Sequence, residues 1–151
     1  MQTSVEGMKF EAPEGFVREE TMVSLRIPAE KGFADARVKT PIRPNMIVHR
    51  RPEKSADLAA VLAHVQGELL TAVSGISPIE AADVTFADGK KGALIAYSMP
   101  APKGLEISQL QAMRLDDGVL TTLTVSTERA ALTPERKAAY VKALVSARKG
   151  S

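Results

Sequence analysis

Two periodicities alternate along the chain, one of two residues and one of 3.6, and their order predicts the elements. Met8 and Phe10 flank Lys9 ahead of a turn at 12–15. A strand follows over 16–27, where Val23, Leu25 and Ile27 share one parity and Ser24 and Arg26 the other. Pro28 ends it. Gly32, Pro41 and Pro44 punctuate the next stretch, which predicts a loop over 29–43 with a short strand near 36–39. NMIVHR, at 45–50, is a strand stopped by Pro52.

The period then changes. Leu58, Val61, Leu62, Val65, Leu69 and Val73 form one apolar stripe at helical spacing, with Ser55 as the predicted N-cap, Asp57 in the first turn and Gly75 as the stop. Ile76, Ile79 and Val84 predict another strand ending at Phe86. Asp88-Gly89 and Asp117-Gly118 are hairpin signals. Around them the pattern predicts strands over 92–99, 105–115 and 119–127. A second helix closes the chain, with Thr133 as cap, Pro134 at its first position, and Arg148 and Lys149 in its last turn before Gly150. Val141, Leu144 and Val145 are its candidate buried residues, beside Ala138 and Tyr140. The order predicts a single α+β domain over 1–151: an antiparallel, meandering sheet with two helices gathered on one face.

The central strands are apolar at both parities. Over 93–99, Ala93, Ile95, Tyr97 and Met99 alternate with Leu94, Ala96 and Ser98. Over 119–125, Val119, Thr121, Leu123 and Val125 alternate with Leu120, Thr122 and Thr124. A sheet with one wet face alternates cleanly between apolar and polar residues, and these strands do not. With both helices on one side, the second face is left apolar and studded with hydroxyls. Loop 29–43 folding over it, a homodimer burying it, or a dedicated ligand surface would each account for such a face.

Composition narrows the function classes. The 151 residues carry 44% hydrophobic and 25% charged side chains, which suits one ordinary globular domain. A formal net charge of +2 provides no strong field to capture a polyanion, and 4% aromatics without Trp leave few surfaces for stacking bases. The doublets Arg50-Arg51 and Lys90-Lys91 read as solvated edge protection, so nucleic-acid binding is not expected. No Cys is present, which removes disulfides and thiolate chemistry. MQTSVEGMKF has neither a basic nor an apolar signal region, and no apolar run approaches the ~20 residues that span a bilayer, so the expectation is a cytoplasmic protein without stable membrane insertion.

Catalytic chemistry finds no foothold. His49 falls on a strand and His64 on the helix side opposite the apolar stripe, without a zinc-binding spacing, so neither a metal nor another cofactor is expected. Asp116-Asp117 is turn chemistry because Gly118 follows, and Glu19-Glu20 occupies polar strand positions. GxSxG, P-loop and GxGxxG motifs are absent. The expectation is a binding module, not an enzyme.

FEAPEGF at 10–16, the strand ending in Ile27-Pro28, and PNMIVHRRP at 44–52 resemble the pattern of the DcrB/PsbP-like family. GKKGALIAYSM at 89–99 and ISQLQAMRLDDGVLTTLTVST at 107–127 continue it. The resemblance runs from about Met8 to Ser146 and rests on order and spacing, since no single motif is diagnostic. A short member without a signal peptide resembles the Eag-type chaperones of type VI secretion. That resemblance implies a homodimer whose concave sheet faces hold the N-terminal apolar helices of a secreted, Rhs-like effector before export. The implied client-binding positions are Val23 and Leu25 on the early strand, Asn45, Ile47 and His49 on the next, and Leu105, Ile107, Gln109, Gln111 and Met113. Serines are frequent in the family at the positions of Asn45 and His49, so this chain departs there. Gln109 or Gln111 is the implied donor to the client helix. The alternative is a DcrB/PsbP-like interaction or regulatory domain with no membrane-helix client.

Overall fold

Six strands of one antiparallel sheet carry the molecule. The computed structural model describes residues 2–5, 8–11, 21–26 and 44–149. Within them, β1 (Gln2–Val5) and β2 (Met8–Glu11) pair as a separate two-stranded ladder, of which only β2 was predicted. The main sheet comprises β3 (Thr21–Arg26), β4 (Asn45–Pro52), β5 (Glu80–Thr85), β6 (Lys91–Pro100), β7 (Glu106–Asp116) and β8 (Val119–Glu128). Its order is β3-β4-β8-β7-β6-β5, all neighbours antiparallel. The last four strands form a meander, and the α+β class stands as predicted. The predicted loop at 29–43 lies outside the described residues.

Local chemistry explains the boundaries. Helix α1 (Leu58–Ala72) is capped by Asp57, whose carboxylate accepts from the Ala59 amide at 3.0 Å. Ser55, the predicted cap, instead accepts from the Asp57 amide at 3.2 Å and orients the true cap. Helix α2 (Pro134–Val145) begins as predicted: the Thr133 hydroxyl accepts from the Arg136 amide at 3.2 Å. It ends sooner than predicted, so Arg148 and Lys149 lie beyond it. Asp117 and Gly118 both adopt positive φ, 47° and 77°, the conformation of a two-residue turn whose twist matches its strands.

The helices occupy opposite faces of the sheet, which corrects the prediction of one shared face. Register and parity decide this. Leu94, Ala112, Leu123 and Val48 stand in one cross-strand row, and Ala96, Leu110, Val125 and Met46 in the next. These rows pack with Leu144, Tyr140, Val141 and Val145 of α2. The opposite parity, Ile95, Tyr97, Met113 and Leu120, packs with Leu58, Val61, Leu62, Val65 and Leu69 of α1. Strands apolar at both parities need a cover on each side, and one helix goes to each. At Gly92 the approach is close: a Cβ there would lie 2.4 Å from both the Met113 carbonyl oxygen and the Phe86 ring.

Arg114 fastens the hairpin end of the α2 face. Buried at 3% exposure, it engages all five of its N–H donors. Two go to Asp116 at 2.7 and 3.0 Å, two to Asp88 at 3.0 and 2.8 Å, and one to the Ala147 carbonyl at 3.0 Å. Its guanidinium carbon also stands 4.9 Å from the Phe86 ring centroid. The Arg114 guanidinium holds both carboxyls below the ordinary range, and the Asp116 and Asp88 carboxylates raise its own pKa.

Candidate functional site

The face that carries α1 also carries the amides singled out by the sequence, among hydroxyl side chains. Asn45, Ser126, Gln109 and Tyr97 align across β4, β8, β7 and β6 in one row. The next row is Ile47, Thr124, Gln111 and Ile95, and the one after is His49, Thr122, Met113 and Ala93. α1 packs over Ile95, Tyr97, Met113 and Leu120, whereas Ile47, His49, Gln109, Gln111, Thr122 and Thr124 stay half-buried outside that cluster. Among the described residues, α1 covers the β6 side of this face, and β4, β8 and the neighbouring side of β7 carry half-buried apolar and uncharged-polar side chains.

The polar groups form a connected network. The Tyr97 hydroxyl donates to Gln109 Oε1, and Gln109 Nε2 donates to the Ser126 hydroxyl at 2.8 Å. Gln111 Nε2 donates to the Tyr97 oxygen at 2.8 Å. Burial pushes the Tyr97 phenol up to about 12, with the Gln111 hydrogen bond opposing, so it remains a neutral donor near neutral pH. Each glutamine amide keeps one further N–H beyond those bonds. At the end of the row, Asn45 Oδ1 is buried without a hydrogen-bond partner. A buried carbonyl left in that state costs roughly 1–3 kcal/mol.

The sequence-derived positions divide accordingly. Asn45, Ile47, His49, Ile107, Gln109 and Gln111 share this face. Met113 shares it too but is fully buried in the α1 cluster, so its side chain is closed to a ligand. Leu105 precedes β7, in the cap of a short 3₁₀ turn (Pro102–Gly104). Val23 and Leu25 stand opposite Val48 and Met46, on the parity of the α2 face, which separates them from the other positions. Thr122, Thr124 and Ser126 complete the surface and were not singled out as site positions, although their shared parity was a usable signal. Tyr97, 4% exposed beneath α1, holds the glutamines from the buried side.

Among the described residues, no group of three or more His, Asp or Glu could hold a metal ion. His64 is exposed and pairs with Glu68 at 2.9 Å, and Asp116 and Asp117 belong to the turn and its ion pairs. Also among the described residues, no helix is long and apolar enough to cross a membrane.

No family model matches the chain, and no curated protein matches it. Among solved structures, it is similar to a protein of unknown function from Pseudomonas aeruginosa, provisionally described as a regulator. The two share 15% identity with a TM-score of 0.71, over 100% of this chain and 97% of the other. At that identity the likeness is one of fold.

Proposed function

We propose that this protein is a cytoplasmic, homodimeric chaperone or adaptor for a secreted effector of the type VI, Rhs-like kind, and that its α1 face receives the effector's N-terminal apolar helices. The observation that carries the reading is the half-covered surface itself. Ile47 and Ile107 provide apolar contact, Gln109 and Gln111 keep unused amide protons, and Asn45 Oδ1 is an acceptor without a partner. Across β4, β8, β7 and β6 the rows from Asn45 to His49 carry no Asp, Glu or Lys. Charge lies at the margins, with Arg26 opposite Asn45, Glu128 opposite Ile107 and Asp83 beyond Ala93, so a helix docking over the centre would desolvate no carboxylate or ammonium there. A helix of small residues would bring its backbone close and meet the amides with its own hydroxyls and carbonyls.

The direct test is co-expression with an effector segment containing paired apolar helices. The segment is expected to be soluble only with this protein, and equal solubility without it would reject the reading. Gln109→Ala combined with Gln111→Ala is expected to weaken the complex about tenfold or more while leaving the protein folded, because each substitution removes a hydrogen-bonding group of roughly 1 kcal/mol. Unchanged affinity would remove these residues from the site. The alternative is a regulatory or interaction domain of the same fold with no such client. It has in its favour the provisional description of the Pseudomonas aeruginosa protein, and it would be preferred if the apolar segment failed to bind while a folded partner was retained.

A further inference from the structure

A second recognition element stands on the other face, at the end of the sheet away from Arg114. Cross-strand partners there are Ser98, Ser108 and Thr127, a row of hydroxyls continuing the apolar rows of the α2 core. Ser108 and Thr127 are 5% and 1% exposed. Between this row and the Arg114–Thr121 row at the hairpin end, the positions at this parity are filled by Leu94, Ala96, Leu110, Ala112, Leu123 and Val125. Over Ser98 and Ser108 opens a cleft of about 480 Å³, walled by Pro78, Ala96 and Leu132 above the buried Leu110, with Glu80, Arg129 and Lys137 at its rim.

We infer that this cleft binds a small carboxylate with a short apolar body. The two serine oxygens lie 2.8 Å apart, so one hydroxyl proton is engaged between them and the other is left to direct at an acceptor. A guanidinium and an ammonium at the rim match the two oxygens and the charge of a carboxylate. Their present partners are exposed acids: Arg129 pairs with Glu106 at 2.6 Å, and Lys137 approaches Glu80 at 4.0 Å. Such exposed pairs contribute little and are readily exchanged for a ligand's anion. Leu132, Ala96 and Pro78 accept the tail. This inference does not depend on the proposed chaperone role, because Ser98, Ser108 and Leu132 belong to the α2 side and the rim cations take no part in the α1 face, although Tyr97 and Gln109 also border the cleft.

Amide-resolved NMR titration of the full chain with hexanoate tests it, with hexanamide and inorganic phosphate as separate arms. Hexanoate is expected to give saturable shifts at Ser98, Ser108 and Leu132, with a dissociation constant on the order of 1 mM, in keeping with so small a ligand. Hexanamide at the same concentration is expected to leave those amides unmoved. Arg129→Gln and Lys137→Gln, both at solvent-facing side chains, are each expected to weaken binding roughly five- to tenfold. Ser108→Ala is expected to weaken it with the spectrum otherwise intact. Equal shifts with hexanamide, tighter binding of phosphate than of hexanoate, or no saturable shift at these amides would each overturn the inference.

Discussion

The two faces of the sheet are made from the same strands, yet they are closed in different ways. On the α2 side, consecutive rows of Leu, Val, Ala and Met meet Tyr140, Val141, Leu144 and Val145, and Phe86 lies against Gly92. Five donors of Arg114 then tie both hairpin turns to the segment after α2. Each helix buries one residue fully, Leu144 of α2 and Val61 of α1, but on the α1 side the rows run on from the helix into amides and hydroxyls. The first face has the composition of a core that stabilises the fold. The second is a surface whose hydrogen-bonding groups are organised but not exhausted, a state kept at some expense in stability.

That contrast can be broken by substitution. Leu144 is fully buried, and Leu144→Ala is expected to destabilise by about 3–4 kcal/mol, against about 1–2 kcal/mol for Leu62→Ala on the half-buried stripe of α1. Denaturant midpoints would read both, and equal losses would mean that the two helices carry the fold alike. Arg114→Met is expected to lose about 2–3 kcal/mol, since it leaves two carboxylates beside an apolar ring without their cation.

Acid provides an independent reading of the same clasp. Asp88 and Asp116 have folded-state pKa values below their unfolded ones. Their contribution is therefore present above the unfolded carboxyl value of about 4 and is lost as pH falls from there through the depressed folded values. Thermal midpoints of the wild type are expected to drop steadily below about pH 4, and those of Arg114→Met to drop less. Parallel curves would remove Arg114 as the cause.

The smallest expected change in stability is the most informative about the α1 face. Asn45→Leu removes a buried carbonyl that has no partner and is expected to stabilise the protein by about 1 kcal/mol while weakening capture of an apolar helix. A variant that is both more stable and equally competent in capture would show that Asn45 has no part in binding.

Much of the architecture was legible. The hairpins at Asp88-Gly89 and Asp117-Gly118, the stripe from Leu58 to Leu69, and the Thr133-Pro134 start of α2 are local signals, and each lies where its chemistry places it. The cap of α1 was misplaced because Ser55 and Asp57 both carry capping side chains and only backbone direction separates them. Gln109 and Gln111 share a face with Asn45 and His49, but Val23 and Leu25, grouped with them through the family resemblance, do not. Parity relates residues within a strand, whereas the relation between strands depends on register, which forms only when the sheet does. The burial of Met113 was hidden for the same reason, since nothing near it in sequence announces that α1 lies on top. Arg114 likewise reads as an ordinary strand arginine until Asp88, 26 residues away, meets it.

The amino-acid order by itself thus determined the succession of the main elements, the hairpin turns, the start of α2, and the presence of apolar residues on both sides of the central strands, because those properties arise from contacts within a few residues. Only the tertiary structure decided that each side takes one helix, which polar side chains meet in a single row, and where a buried carbonyl is left without a partner. These outcomes depend on cross-strand register and on packing between segments distant in the chain, and no local periodicity encodes either.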